Sequence, residues 1–222
     1  DCICLMVANG HGGDCSVAPF GGRTRRLPTN PICCGIPTGG DWPVILDMTT
    51  SMISGGDMRL LRNKGEDAPE GMLIDGNGNP TIKVEEYYGP PPGAILPLGY
   101  PGSGHKGYGL SVMVDILAGA VSGAGMTEGG PERTGNALFI AMLKVEAFQP
   151  LAEFYGEVQG FIEYVKSCPP TAGFDEVYLP GERAHRRMLV RRREGLYVDE
   201  GAWEEIGELA GELSVELPEP VA

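Results

Sequence analysis

The chain has 222 residues, enough for one well-filled core or a core with an appended helical lobe. With 42% apolar and 21% charged residues it reads as globular, and its net charge of −13 argues against general affinity for nucleic acid or an anionic membrane surface. No apolar run approaches the roughly 18 residues that a bilayer-spanning helix needs, so neither a nucleic acid nor a membrane is expected as a partner.

Short apolar, β-branched runs at residues 3–8, 31–36, 44–46 and 137–143, bounded by Gly, Pro, Asn and Asp, predict the strands of a sheet. A short helix is expected after Thr50, with Met52, Met58 and Leu61 on its apolar side. Residues 71–92 are rich in turn formers, and Pro90, Pro91 and Pro92 predict an extended stretch. Helical spacing of Phe148, Leu151, Phe154, Val158, Phe161, Ile162 and Val165 predicts an amphipathic helix over residues 147–167, stopped by Pro169 and Pro170. A second such helix is expected from about Asp199 to residue 213, with Trp203, Ile206, Leu209, Ala210 and Leu213 facing inward. The resulting division is a sheet domain over residues 1–145, a helical segment over 146–215 and a disordered tail over 216–222.

The six cysteines, Cys2, Cys4, Cys15, Cys33, Cys34 and Cys168, show no C-x-x-C pairing. Ordinary small core residues in a reducing, cytoplasmic setting account for them.

Residues 96–110, LPLGYPGSGHKGYGL, place His105 and Lys106 among five glycines ahead of an apolar run over residues 110–120. Glycine permits close backbone approach, and a buried helix following the turn would present free N–H groups to an anion. Gly102, Gly104 and Gly107 satisfy G-x-G-x-x-G, but Pro97 and Pro101 break up the approach. Asp115 also lies too close to serve as the acidic residue expected about 20 positions on, so the dinucleotide fingerprint fails its context.

Other signals have two readings. Asp47 and Thr50 fit a helix cap, and Asp57 fits a solvated residue in a first helical turn. Thr29 would stabilise the turn before Pro31. Asp75, Asn77, Asn79 and Glu86 have calcium-loop spacing, yet Pro80 occupies the position that needs glycine and the flanks are not helical, so a polar turn is the better account. His11, His105 and His185 are too scattered for a metal site, and none is expected. The arginines between Arg183 and Arg193 read as a solvated helix offset by the acidic tail.

Five blocks in order carry a resemblance: VAPFGGR at 17–23, LPTNPI at 27–32, ILDMTTS at 45–51, HKGYGL at 105–110 and GFDEVYLPGE at 173–182. Together they resemble the type-2 malate/L-lactate dehydrogenase family, which includes sulfolactate, ureidoglycolate and other hydroxycarboxylate dehydrogenases. The resemblance implies an α/β fold with a mixed sheet and peripheral helices that binds nicotinamide outside the Rossmann pattern. It also implies hydride transfer between NAD or NADP and a small 2-oxo or 2-hydroxy acid, in a homodimer.

Carried over by match, Asp47, Met48, Thr49, Thr50, His105, Lys106, Asn136, Gly181 and Glu182 would contact the cofactor. Thr29 and Asn30 would contact substrate, with Pro28 standing where the family has glycine. Asp57 would be catalytic by orienting a histidine, at a position where other members have lysine. The chain enters a strand directly after Asp1, at a point well inside the family's polypeptide. The resemblance thus implies a chain lacking the N-terminal part, which in the family holds the proton-donating histidine. The alternative is a catalytically silent dinucleotide- or anion-binding module.

Overall fold

The computed structural model describes residues 1–12, 15–128, 135–198 and 200–218. They fall into two compact units, Asp1–Pro180 and Gly181–Ala222.

In the first unit, β1 (Cys2–His11) is the centre of a four-stranded sheet, pairing antiparallel with β2 (Ile32–Ile36) on one side and with β7 (Gly135–Lys144) on the other. β3 (Val44–Met48) extends it from β2, giving the order β3-β2-β1-β7. All four expected strands are present. β2 begins one residue after Pro31, which has no N–H to give the ladder but accepts from Ala8 N through its carbonyl at 3.1 Å.

A small three-stranded sheet orders β5 (Pro80–Thr81), β4 (Leu73–Ile74) and β6 (Ala94–Ile95). Where a mixed sheet was expected, the strand pairs described are antiparallel throughout, with parallel pairing at the isolated bridge of Val17 with Ile95.

Helix α1 (Gly55–Lys64) starts later than expected. Residues 51–54 first make a bend, in which Ser51 bridges Pro97 and Met52 packs beside Ala18, Ile74, Ala94 and Leu96. Met58 is fully buried with Val17, Leu73, Val84, Tyr87 and Ile95, and Leu61 packs against the same cluster. Burying such a side chain is worth about 1.5–3 kcal/mol.

The 71–92 segment is more structured than a run of turns, since it contains β4, β5 and α2 (Val84–Tyr88). Its proline cluster is bent rather than extended, with a cis peptide between Pro90 and Pro91. Asp75 joins β4 to β5 by accepting from Asn77 N and Asn79 N, each at 2.8 Å. The polar-turn reading describes this geometry.

The expected glycine turn ahead of a buried helix is corrected in two ways. α3 (Gly104–Asp115) already includes His105, Lys106 and Gly107, and it passes into a π-helical stretch, Ile116–Ala120. Only one side of it is covered: Val114 and Ala118 pack on Val7 of β1, while Leu110, Met113 and Ile116 are exposed. Helix α4 (Leu151–Lys166) matches the expected periodicity but buries no residue completely, and Phe148 and Phe161 are exposed rather than inward.

The second unit contains α5 (Glu182–Glu194), the arginine-rich helix, and α6 (Glu200–Leu213). The expected start of α6 at Asp199 and residues 219–222 of the tail lie outside the described residues. Ala210 is buried, but Ile206, Leu209 and Leu213 are exposed, contrary to the inward face expected for them. Among the described residues no helix is long and apolar enough to cross a membrane.

Candidate functional site

An open cleft of about 390 Å³ is lined by Pro31, Asp47, Met48, Thr49, Met52, Ile53, Ser54 and Asp57. Sheet register builds it. Ile32 pairs with Met48 and Cys33 with Asp47, so LPTNPI and ILDMTTS reach the same end of neighbouring strands. Asp47 is exposed there and has no hydrogen-bonding or ionic partner among the described residues. The Cys33 thiol opposite it is pushed above its ordinary pKa, first by burial and then by the charge of Asp47, with Cys4 and Cys34 adding. It is therefore held as a thiol rather than a nucleophilic thiolate.

The cap of α1 forms another side of the cleft. Ser54 Oγ accepts from Asp57 N at 3.0 Å and donates to Asp57 Oδ2 at 2.6 Å. Ser54, rather than Asp47 or Thr50, is thus the cap, and its hydroxyl fixes the Asp57 carboxylate at the rim. The S-x-x-D spacing is a visible capping signal, and with Pro31, Met52 and Ile53 it completes the lining that the matched residues left out.

Thr50 is brought to the site's foundation rather than its surface. It is buried, its hydroxyl lies 3.0 Å from both Thr29 O and Asn30 O, and its N–H donates to Thr29 O at 3.0 Å. Asn30 is fully buried with φ of 40°, and its amide donates to Ser111 O at 3.0 Å and Asp115 Oδ2 at 3.1 Å. Its amide nitrogen therefore holds α3, while its amide oxygen is buried without a hydrogen-bond partner among the described residues. Thr29, half-buried, is left as the more accessible side chain of the pair.

The third block joins through the backbone. Leu98 N donates to Thr50 O at 3.0 Å, and a Cβ on Gly107 would lie 2.4 Å from Leu98 O. At this position glycine lets α3 pack against its own preceding loop. His105 and Lys106 project from the first turn of α3 and are exposed; Phe20 of the VAPFGGR block meets the His105 ring edge-on at 5.8 Å.

Three other matched positions are not among the residues that line this cleft. Asn136 is exposed on β7 opposite Gly10. Gly181, with φ of 86°, caps α5 in the second unit, and Glu182 pairs with Arg186 at 2.6 Å. Among the described residues, no group of three or more His, Cys, Asp or Glu side chains could hold a metal ion.

A family model described as malate/L-lactate dehydrogenase matches residues 1–207. L-lactate dehydrogenase of Cupriavidus necator is 40% identical over 208 residues, covering 91% of this chain and 58% of the relative. Malate dehydrogenase of Pyrococcus horikoshii is 41% identical over 207 residues, covering 90% and 57%. The solved sulfolactate dehydrogenase from Methanocaldococcus jannaschii superposes with a TM-score of 0.78 at 30% identity, covering 96% of this chain and 60% of that one. The chain thus spans less than two thirds of each relative.

Proposed function

The chain belongs to the malate/L-lactate dehydrogenase family, and we propose that it carries the cofactor cleft and part of the substrate side of a nicotinamide-dependent 2-hydroxy-acid dehydrogenase. The observation that carries this reading is the cleft itself: the matched ILDMTTS block lines it and is hydrogen-bonded to LPTNPI and to the loop under HKGYGL.

The residues present fit a dinucleotide. The carboxylates of Asp47 and Asp57 and the hydroxyl of Thr49 suit sugar hydroxyls, while Pro31, Met48, Met52 and Ile53 give an apolar wall for a flat ring. When bound, the nicotinamide supplies the hydride chemistry. The chain's own groups bind and orient: Lys106 and the N-terminal amides of α3 suit a diphosphate, with His105 beside them. Asn136 is proposed as a further cofactor contact.

On the substrate side, Thr29 donates to a 2-oxo acid, and Asn30 acts by holding Thr29 and α3 in place. Asp57, whose carboxylate the Ser54 hydroxyl holds, is proposed to orient an imidazole that meets the cleft. Malate, lactate and sulfolactate, named for the relatives, define the acid class. The exposed row Leu138, Ile140 and Met142 on one face of β7 supports a homodimer, and a cytoplasmic setting is proposed with it.

Titration of NADH and NADPH fluorescence tests the reading. A lost charge-assisted contact costs about 1.5–3 kcal/mol, so Lys106→Ala is expected to weaken the preferred cofactor at least tenfold. Unchanged affinity removes Lys106 from the site, and absence of binding by the unsubstituted protein sinks the dinucleotide reading.

A further inference from the structure

Helices α5 and α6 carry opposite charge. Six of the 13 residues of α5 are arginine, whereas α6 has five glutamates and no Lys, Arg or His. Arg183, Arg187 and Arg191 recur every fourth residue along α5, and Glu200, Glu204, Glu208 and Glu212 do the same along α6. Four helical residues rise about 6 Å, so the two rows share one repeat. Arg186 pairs with Glu182 and Arg193 with Glu194, but Arg183, Arg187 and Arg191 are exposed and make no ion pair among the described residues. Glu204, Glu208 and Glu212 are likewise exposed and unpaired there. Like charges at this spacing repel along α6, and no cation of that helix offsets them.

Each row has an apolar border. Ile206, Leu209 and Leu213 are exposed on α6, as are Met188 and Leu189 on α5. At about 100° per residue, Leu209 falls beside Glu205 and Met188 beside Arg191.

We propose that α5 and α6 form a docking surface for a second copy of this chain, with the arginine row of α5 in one copy lying along the glutamate row of α6 in its partner. The inference rests on the homodimer reading above and names the segment that joins the copies. A twofold axis makes the contact twice, since each copy supplies both helices. Complementarity selects this occupant. Nucleic acid has no apolar edge to offer Met188 and Leu189, and both it and an anionic membrane are repelled by the net charge of −13, whereas a second copy brings an acidic row of matching repeat with its own apolar border. Exposed charge pairs contribute little each, so the apolar borders supply affinity while the rows set register and partner choice.

Sedimentation of the whole chain over a range of concentrations tests the proposal. The unsubstituted protein is expected to dimerise, less tightly as salt rises. Two variants reverse one row each: Arg183→Glu with Arg187→Glu and Arg191→Glu, and Glu204→Arg with Glu208→Arg and Glu212→Arg. Each should raise the dimer dissociation constant roughly tenfold or more while circular dichroism shows the helices retained. Mixed in equal amounts, the two should form a heterodimer, because each then meets a row of opposite sign. Arg187→Glu and Glu208→Arg alone repeat the comparison if a triple reversal unfolds its helix. Reversed proteins that dimerise as tightly as the unsubstituted one place the contact elsewhere and overturn the inference. So does a mixture that stays monomeric, which would mean that α5 and α6 pair within one chain. An unsubstituted protein that is monomeric throughout removes the homodimer reading itself.

Discussion

The side-chain amide of Asn30 donates to Asp115 Oδ2 at 3.1 Å, joining the turn before β2 to the last residue of α3. Asn9 of β1 donates to the other carboxylate oxygen at 3.0 Å, and the Thr127 hydroxyl also donates to Asp115. All four residues are buried. One carboxylate thus ties the sheet, the loop bearing Thr29 and the helix bearing His105 and Lys106 into a single body, so the proposed substrate and cofactor sides keep a fixed relation.

Asp115→Ala should therefore destabilise the protein by about 3 kcal/mol, because three buried donors lose their shared acceptor. Asn9, Asn30 and Thr127 retain weaker alternatives at Gly125 O, Ser111 and Gly10 O, which keeps the loss below the sum of three orphaned groups. Urea denaturation measures it. A loss under about 1 kcal/mol would show that the network contributes little.

Thr50→Val preserves shape but deletes a hydroxyl that lies 3.0 Å from the carbonyls of Thr29 and Asn30. The expected cost is about 1–2 kcal/mol, since those carbonyls are left without that donor. If dinucleotide affinity fell sharply while stability was unchanged, Thr50 would be a ligand contact rather than a strut.

Strands were legible because apolar β-branched runs bounded by glycine and proline need little tertiary information. The start of α3 was not. Pro97, Pro101 and the glycines point to a loop, whereas Gly107 is required by packing on the Leu98 backbone and Gly104 sits tightly against Phe20 and Tyr100, contacts set by the fold. Periodicity located α4 and α6 but could not say that Phe161 or Leu209 would remain uncovered. The run of hydroxyls after Asp47 suggests a cap at Thr50, yet cross-loop bonds to Thr29 take that residue and leave capping to Ser54.

The arginines near Phe20 carry the same lesson. Arg25 could be read as steering an anion, but its guanidinium donates to Gly93 O at 2.6 Å and to Tyr87 O, and stacks 3.9 Å over the Tyr87 ring. Local charge in the sequence is partly spent on backbone carbonyls.

Asp75 gives a pH-dependent test. Its carboxyl is held below the ordinary carboxylate range, chiefly by the Asn79 backbone N–H and then by the Asn79 side-chain amide. A depressed folded-state pKa contributes stability that is present above the unfolded value of about 3.9 and lost as pH falls through the folded value. The stability advantage over Asp75→Asn should thus be constant near neutrality and shrink below about pH 4. Thermal unfolding across that range should show the two proteins converging, and a constant gap would mean that the turn does not sense ionisation.

Gly107 and Gly109, two residues apart on α3, should respond to alanine with opposite sign. A Cβ on Gly107 would fall 2.4 Å from Leu98 O and 2.5 Å from Leu98 N, and that backbone is itself tied to Thr50 O at 3.0 Å. Neither partner can give way cheaply, so α3 must shift at a cost of about 1–3 kcal/mol or more. Gly109 has no atom within 4 Å of its added Cβ and sits inside the helix. There alanine should stabilise by about 0.5–1 kcal/mol through helix propensity alone. Denaturation of both variants without cofactor isolates the effect on the fold. If Gly107→Ala were as stable as Gly109→Ala, the close packing of α3 on the Leu98 loop would be wrong, and with it the backbone link that brings HKGYGL to the cleft.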